Sequence, residues 1–533
     1  MVLFFWVGVV TSTAALSESG PIFRFVGKAG PHAVGLKVVE QYDTSRTYRY
    51  STDELGKPYV GERARPLQTL IWYPAEHVNS PAMTVRDYAN LWTTETTFGK
   101  SRTPARAKEW IAAMAPALES SLWAVRDAPE AKGRYPVVIY APSFSAMAWE
   151  NADLCEYLAT HGYVVIATPN MGAMSRKMSR DIAGINEQAR DISFLIGYAQ
   201  TLPNTDMTAV AAAGFSWGGM ANLFAAARDT RIHALVALDG SQRYFPGLVK
   251  EAGDVHPEEM TIPMLYFAQG SWTVEDETVY LNDAERNGPS VLNAWTHGDL
   301  ITVRMLGLTH REHSSMYQRN EDVWREFSEE QQGDYDRKDG IFGYSWLARY
   351  THAFLDAYLK HDTTELAFLK RKPAENDVPQ HLMAVRFRAA TGVAPSFERF
   401  RTEIGRQGFN RASEIYAEMR KEKASFKLDE EAINFWSEEL MNGDHDAEAI
   451  ALLKLNTQIN PDSSASYVML GEAYRKTGQR RLSIDSYRIA LEKNPINEDV
   501  KRKLEALEAA SLSKPMERSL PPSASNRSSY SNP

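Results

Sequence analysis

Between about Gly30 and Tyr73, the segments VGLKVVEQYD and PLQTLIWYPA set β-branched and aromatic residues between turn signals, which predicts strands. Val85 to Lys132 has a mostly helical pattern rich in Trp, Ala and Glu, and fits either a cap over a site or a surface insertion. A regular alternation then begins. YPVVIYAPS is a short apolar run of the kind that forms a buried parallel strand. A helix follows over Trp149 to His161, and Gly162 stands where a helix end takes a left-handed residue. YVVIATPN reads as a strand, NEQARDISFLIGYAQ as a helix, TAVAAAGFS as a strand, GGMANLFAAAR as a helix and IHALVALDGS as a strand. IPMLYFAQG and ITVRMLGLTH add two strands, and SWLARYTHAFLDAYLKHD, which contains Asp356, is a helix that closes the domain. This succession predicts an α/β fold over residues 20–365, a mostly parallel sheet with helices on both faces.

After Glu365 the texture changes. KRKPAENDVPQ is charged and Pro-containing and reads as a linker, and everything beyond it reads as helical, with 366–428 as linker and helices. Pro461 and Pro495 each follow an Asn and stand 34 residues apart, the tetratricopeptide period. Tyr467, Leu470, Gly471, Tyr474, Tyr487 and Ala490 occupy the favoured offsets in the second unit; Trp436, Ala449 and Leu453 mark a weaker first one. Such repeats over 430–510 form a small all-α domain, with EDVKRKLEALEAA as its cap, and serve as a platform for a protein partner or self-association. The Ser- and Pro-rich stretch 511–533 predicts a disordered tail.

Composition narrows the function. The 533 residues suit two to four domains, and a net charge of −9 without a long basic block argues against a nucleic-acid partner. The single cysteine, Cys155, excludes an internal disulfide and a thiolate metal cluster, and its helical setting reads as buried packing. Val2 to Val10 is apolar but too short to span a bilayer, and the small residues after it suit a signal peptidase. Residues 1–17 are therefore expected to be an export signal, giving a periplasmic or secreted protein; the missing Lys or Arg before the run leaves a cytoplasmic chain as the alternative. No other segment reads as transmembrane.

Ser216 sits in Gly214-Phe215-Ser216-Trp217-Gly218, after an apolar strand and before an Ala-rich helix. This is the setting of a G-x-S-x-G nucleophile elbow, where the turn tolerates only small neighbours and presents the hydroxyl near a helix N-terminus. A serine hydroxyl needs a base held by an acid, and in this architecture both follow the serine in the chain. ALVALDGS places Asp239 at the end of the next strand, where catalytic groups gather in open parallel sheets. Glu275, Asp276 and Glu277 are its rivals. For the base, MLGLTHREHSSM offers His310, directly after a strand-like run, and His313 one helical turn on; His297 reads as a surface turn residue. Backbone N–H groups of Trp217 and Phe144 would supply an oxyanion hole, and their rings would serve as acyl-pocket walls or as core aromatics.

PVVIYAPSFSA, LCEYLATHGYVVIATPN, ARDISFLIGYAQ, GFSWGG, ALDGS and GLTHREHSS, in this order, resemble the platelet-activating-factor acetylhydrolase and dienelactone hydrolase-like branch of the α/β-hydrolases, over about Pro31 to Asp362. The resemblance implies an acid on the strand directly after the nucleophile, which maps to Asp239, and a base at His310. It departs at Pro142-Ser143, where that family usually has His-Gly; a serine at a position that needs glycine's backbone freedom would be strained. The tetratricopeptide-like tail lies outside the family pattern. The expected activity is carboxylic ester hydrolysis on small or lipid esters, with no metal or organic cofactor. Acyl transfer or peptide cleavage by the same triad, and a protein-binding module on a hydrolase scaffold, are the alternatives.

Overall fold

In the computed structural model, residues 23–98, 105–270, 278–279, 288–324 and 335–512 are described. The expected export signal, the rival acids Glu275, Asp276 and Glu277, and all but the first two residues of the expected tail lie outside them. The chain divides into two compact units, 1–393 and 394–533.

The first unit is built on twelve strands among the described residues. They are β1 (Ala33–Thr47), β2 (Ala64–Ala75), β3 (Ala124–Arg126), β4 (Tyr135–Ala141), β5 (Val164–Ala167), β6 (Thr205–Phe215), β7 (Ala234–Leu238), β8 (Met264–Gln269), β9 (Thr278–Val279), β10 (Gly288–Pro289), β11 (Leu300–Met305) and β12 (Met383–Arg388). Ten form one sheet in the order β12-β11-β8-β7-β6-β4-β5-β2-β1-β3, and β9 pairs only with β10. The run from β5 to β11 is parallel; β2 and β12 join its two sides antiparallel. The parallel core with antiparallel strands at its margins, and a serine turn after the strand beside β4, is the α/β-hydrolase fold.

The pleat explains why central strands are apolar throughout. In β4, Val137 and Ile139 enter the core on one face while Val138 and Tyr140 enter the core on the other. Two helices, α1 (Val85–Leu91) and α2 (Ala105–Ala113), lie between β2 and β3, so the segment read as helical also contributes a short sheet strand, β3. Next come α3 (Ala152–Thr160), α4 (Ile182–Ala199), α5 (Trp217–Ala226), α6 (Pro246–Glu251), α7 (Val291–Ala294), α8 (Ser315–Gln318) and the long α9 (Arg337–Leu359). Residues of α4 and α5 cover one face and those of α3 and α9 the other. Tyr163 of the loop before β5 donates to Asp356 of α9 at 2.6 Å, which ties that helix to the sheet. Cys155 is wholly buried in α3, as its helical setting predicts.

One correction concerns the end of this unit. The chain after 365 was expected to be linker and helix throughout, but MAVRFR forms β12, paired with β11 from Leu300↔Arg388 to Met305↔Met383. Val385 and Phe387 alternate with Arg386 and Arg388, a period-2 pattern only six residues long and masked by the charged residues around it. The unit therefore ends at Val393.

The second unit is all helical among the described residues. Its helices are Phe397–Gln407, Ala412–Glu422, Glu430–Asn442, Asp446–Ile459, Ser464–Lys476, Arg480–Lys493 and Glu498–Leu512. Phe400, Ile404, Ile415, Ile433 and Leu452 anchor its main core. At Gly471 an added Cβ would lie 2.6 Å from the Tyr487 ring, so only glycine lets these two helices approach so closely. No described helix is long and apolar enough to cross a membrane.

Candidate active site

The chain leaves β4 towards β5 on one side and leaves β6 towards β7 on the other, so a crevice opens between their C-terminal ends. Ser216 stands at that point. Its φ of 54° and ψ of −116° lie in a region that L-residues seldom adopt. Three backbone bonds hold it there: Ser216 N–H donates to Leu238 O at 3.0 Å, and its carbonyl accepts from Ser241 N–H at 2.8 Å and Gly219 N–H at 3.1 Å. The flanking glycines answer to close approach. A Cβ on Gly218 would lie 2.0 Å from Ala141 O, and one on Gly214 would lie 2.6 Å from Gly218 C.

Asp239 follows β7 and is wholly buried, also with a positive φ, 42°. Its Oδ2 is 2.6 Å from His310 Nδ1, and His310 Nε2 is 2.8 Å from Ser216 Oγ. The structure thus brings the three expected residues into one line. Burial alone would raise the Asp239 pKa, but the hydrogen bond and charge of His310, with the Tyr244 phenol, hold it below the usual carboxylate range. Burial alone would lower His310, and the hydrogen bond and charge of Asp239 reverse this, leaving its pKa raised, with Glu150 and Glu312 adding to the effect.

The competing histidines go elsewhere. His313 is turned into the core, where its ring lies nearly parallel to Phe215 and its Nδ1 bonds Thr309 O at 2.9 Å. Burial lowers its pKa, which suits a neutral structural imidazole. His297 bonds Gly392 O at 3.0 Å just before β11, at the end of the strand opposite the crevice.

The loop after β4 is tied down more firmly than the sequence foretold. Ser143 N–H donates to Glu150 Oε2 at 2.8 Å, and its hydroxyl donates to Glu150 Oε1. Gln188 donates to Pro142 O at 2.7 Å, and Asn170 to Ser143 O at 2.9 Å. The strain expected at Ser143 is absent; the left-handed residue is Ser145, φ 55°. Glu150 is wholly buried, and burial pushes its carboxyl up to about 7 against the pull of the Ser143 and Tyr140 donors. Phe144 N–H has no acceptor among the described residues. Trp217 opens α5, so its N–H is one of the first-turn donors that a helix leaves without an internal partner.

Sequence reading missed Tyr244, Glu150, Asn170 and Gln188. Glu150 and Asn170 are polar residues beside apolar runs, whereas Tyr244 and Gln188 lie in polar stretches that carry no such signal.

A cavity of about 310 Å³ opens over Ser216 and His310, walled by Phe144, Trp217, Tyr244 and Phe245. Phe144 and Trp217 meet edge to face at 5.8 Å, and Trp217 meets Phe245 at 5.7 Å. Arg180 lies 5.0 Å over the Phe144 ring at the mouth. Elsewhere, the donor atoms of His256, Glu258 and Glu259 lie within 4.8 Å of one another, but all three are exposed, as in an ordinary solvated acidic turn.

A family model described as chlorophyllase matches residues 102–243. A Synechocystis sp. (strain ATCC 27184 / PCC 6803 / Kazusa) protein assigned as a carboxymethylenebutenolidase is 34% identical over 106 residues, 17% of this chain and 43% of that protein. The matched stretch therefore spans less than half of that relative. A solved ferulic acid esterase from Streptomyces cinnamoneus aligns with a TM-score of 0.48 at 19% identity, over 68% of this chain and 98% of that one.

Proposed function

We propose that the protein is a serine esterase that cleaves carboxylic esters through an acyl-enzyme. The observation that carries this is the continuous hydrogen-bonded line Ser216–His310–Asp239, at 2.8 and 2.6 Å, opening into an aromatic cavity. The similarity to a chlorophyllase family model and to a carboxymethylenebutenolidase supports a hydrolase reading.

In this mechanism Ser216 Oγ attacks the ester carbonyl while His310 Nε2 takes its proton. The carbonyl oxygen gains negative charge between the N–H groups of Trp217 and Phe144, each such donor being worth about 3–4 kcal/mol in the transition state. Collapse expels the alcohol, which receives the proton from His310. Water then enters and attacks the acyl carbon as it gives a proton to His310; collapse breaks the bond to Ser216 Oγ, which takes that proton back from His310, and the acid leaves. Asp239 keeps the His310 ring oriented with Nε2 facing the serine and stabilises the imidazolium that forms twice per cycle.

Hydrolysis of a p-nitrophenyl ester series, acetate to long acyl chains, tests the reading. Wild type should turn over at least one member, and Ser216→Ala should reduce kcat by on the order of 10⁶. Equal turnover by both proteins would refute it.

We further assign the helical unit, with its tetratricopeptide-like spacing, to docking a protein partner or a second copy.

A further inference from the structure

A second chamber lies next to the one that contains Ser216. Its volume is about 290 Å³, with Trp92, Trp110, Phe144, Ala146, Met147 and Tyr317 among its walls. Phe144 is common to the walls of both chambers.

The rings on the far side form an ordered set. Trp92 and Trp110 meet edge to face at 5.9 Å and 77°, and Trp110 and Tyr317 at 5.8 Å and 87°. Both indoles also close on the fully buried Trp149, at 6.3 and 6.0 Å. Trp149 thus fixes their positions from below, while Trp92, Trp110 and Tyr317 stay only partly buried. Aromatic surface left in contact with water forgoes about 25 cal/mol per Å². Three such rings around one hollow present an apolar surface that a guest can cover, and edge-to-face walls favour a guest that is itself a ring.

The charged group in the wall does not contradict this. Arg176 donates to Glu95 at 2.7 Å, to Asn170 O at 2.8 Å, and to Ser145 O and Ala146 O, both at 3.0 Å. Its donors are used to brace the loop that carries Phe144. Lys177 is exposed at the edge of the chamber.

We infer that the Trp92–Trp110–Tyr317 chamber receives a ring-bearing apolar half of the ester, while the carbonyl and the smaller half lie over Ser216. The inference rests on the esterase reading. It assigns Trp92 and Trp110 to substrate selection, apart from the bond-breaking step.

The test compares four esters on wild type, Trp110→Leu and Trp92→Leu, each checked for an unchanged melting temperature. Ethyl acetate is the control, because both its halves fit the serine chamber. Ethyl 1-naphthylacetate carries the ring on the acid, 1-naphthyl acetate carries it on the alcohol, and ethyl decanoate replaces the ring with a linear chain. Wild type should prefer one naphthyl ester to ethyl acetate. Either variant should lose about tenfold in kcat/KM on that ester, mainly through KM, with ethyl acetate unchanged. A loss shared equally with ethyl acetate, no loss on either naphthyl ester, or a loss confined to ethyl decanoate would each overturn the inference. If one variant does not fold, the other decides.

Should wild type cleave no ester at all, the esterase reading fails by itself. The chamber is then tested by quenching of tryptophan fluorescence with 1-naphthaleneacetamide. Saturable quenching that both variants weaken supports the chamber, and its absence in wild type overturns it.

Discussion

The phenol of Tyr244 donates to Asp239 Oδ1 at 2.6 Å, on the oxygen that His310 does not use. Gln269 N–H approaches the same oxygen at 3.3 Å. Both carboxylate oxygens are thus engaged, and the acid cannot rotate away from the imidazole. A hydrogen bond to a charged group is worth about 1.5–3 kcal/mol. Tyr244→Phe keeps the ring in the cavity wall and removes this bond. Its kcat on ethyl acetate is expected to fall roughly 10- to 100-fold with KM little changed, read by steady-state kinetics.

The pH dependence follows from His310. As the proposed base it acts only when neutral, and the neutral fraction grows with rising pH. Because Asp239 raises the His310 pKa, the acid limb of kcat/KM should lie above the ordinary histidine value of about 6.5. Asp239→Asn removes the hydrogen bond and the charge that raise it. The limb should then move to lower pH while kcat falls by about 10⁴. A pH–rate profile of both proteins measures the displacement.

Glu150 holds the proposed oxyanion loop from beneath. Its carboxyl accepts both Ser143 donors, and Glu150→Gln leaves one acceptor oxygen and turns an N–H₂ towards the other donor. A fall of about tenfold in kcat with nearly constant KM is expected, since the loop acts on the transition state. Stability gives a second readout. A carboxyl raised to about 7 in the folded state favours folding fully below its unfolded value of about 4.5. That contribution is lost as pH rises through about 7. The melting temperature of wild type should therefore drop more between pH 5 and 8 than that of Glu150→Gln.

The two units have separate cores. The clusters that surround the sheet draw on residues no later than Phe387, and the helical unit has cores of its own, anchored by Phe400 and Leu452. A chain ending at Val393 should fold and keep kcat/KM on ethyl acetate within about twofold. Circular dichroism and the same esterase assay decide it.

Much of the proposed catalytic line was legible because each member follows a strand. Ser216 lies in a local strand–turn–helix signature, and Asp239 and His310 follow apolar runs that end at the same edge of a parallel sheet. Spacing alone did not separate His310 from His313, which stand three residues apart after β11. A short turn over Arg311–His313 separates them in space, leaving one ring at Ser216 and burying the other against Phe215. Tyr244, Glu150 and Asn170 were not legible, since each acts across elements that only the fold brings together. β12 was hidden because its alternation is six residues long and two of them are arginines.

That last strand governs more than the boundary of a domain. β12 covers the outer side of β11, whose Ile301 and Val303 would otherwise lie on an open row of N–H and C=O groups. A bare apolar edge of this kind is a template on which a second molecule can add its own strand. A chain cut at 365 would uncover it and self-associate through the sheet. In the intact chain Arg386 and Arg388 stand on this edge strand, charges of the kind that oppose edge-to-edge pairing.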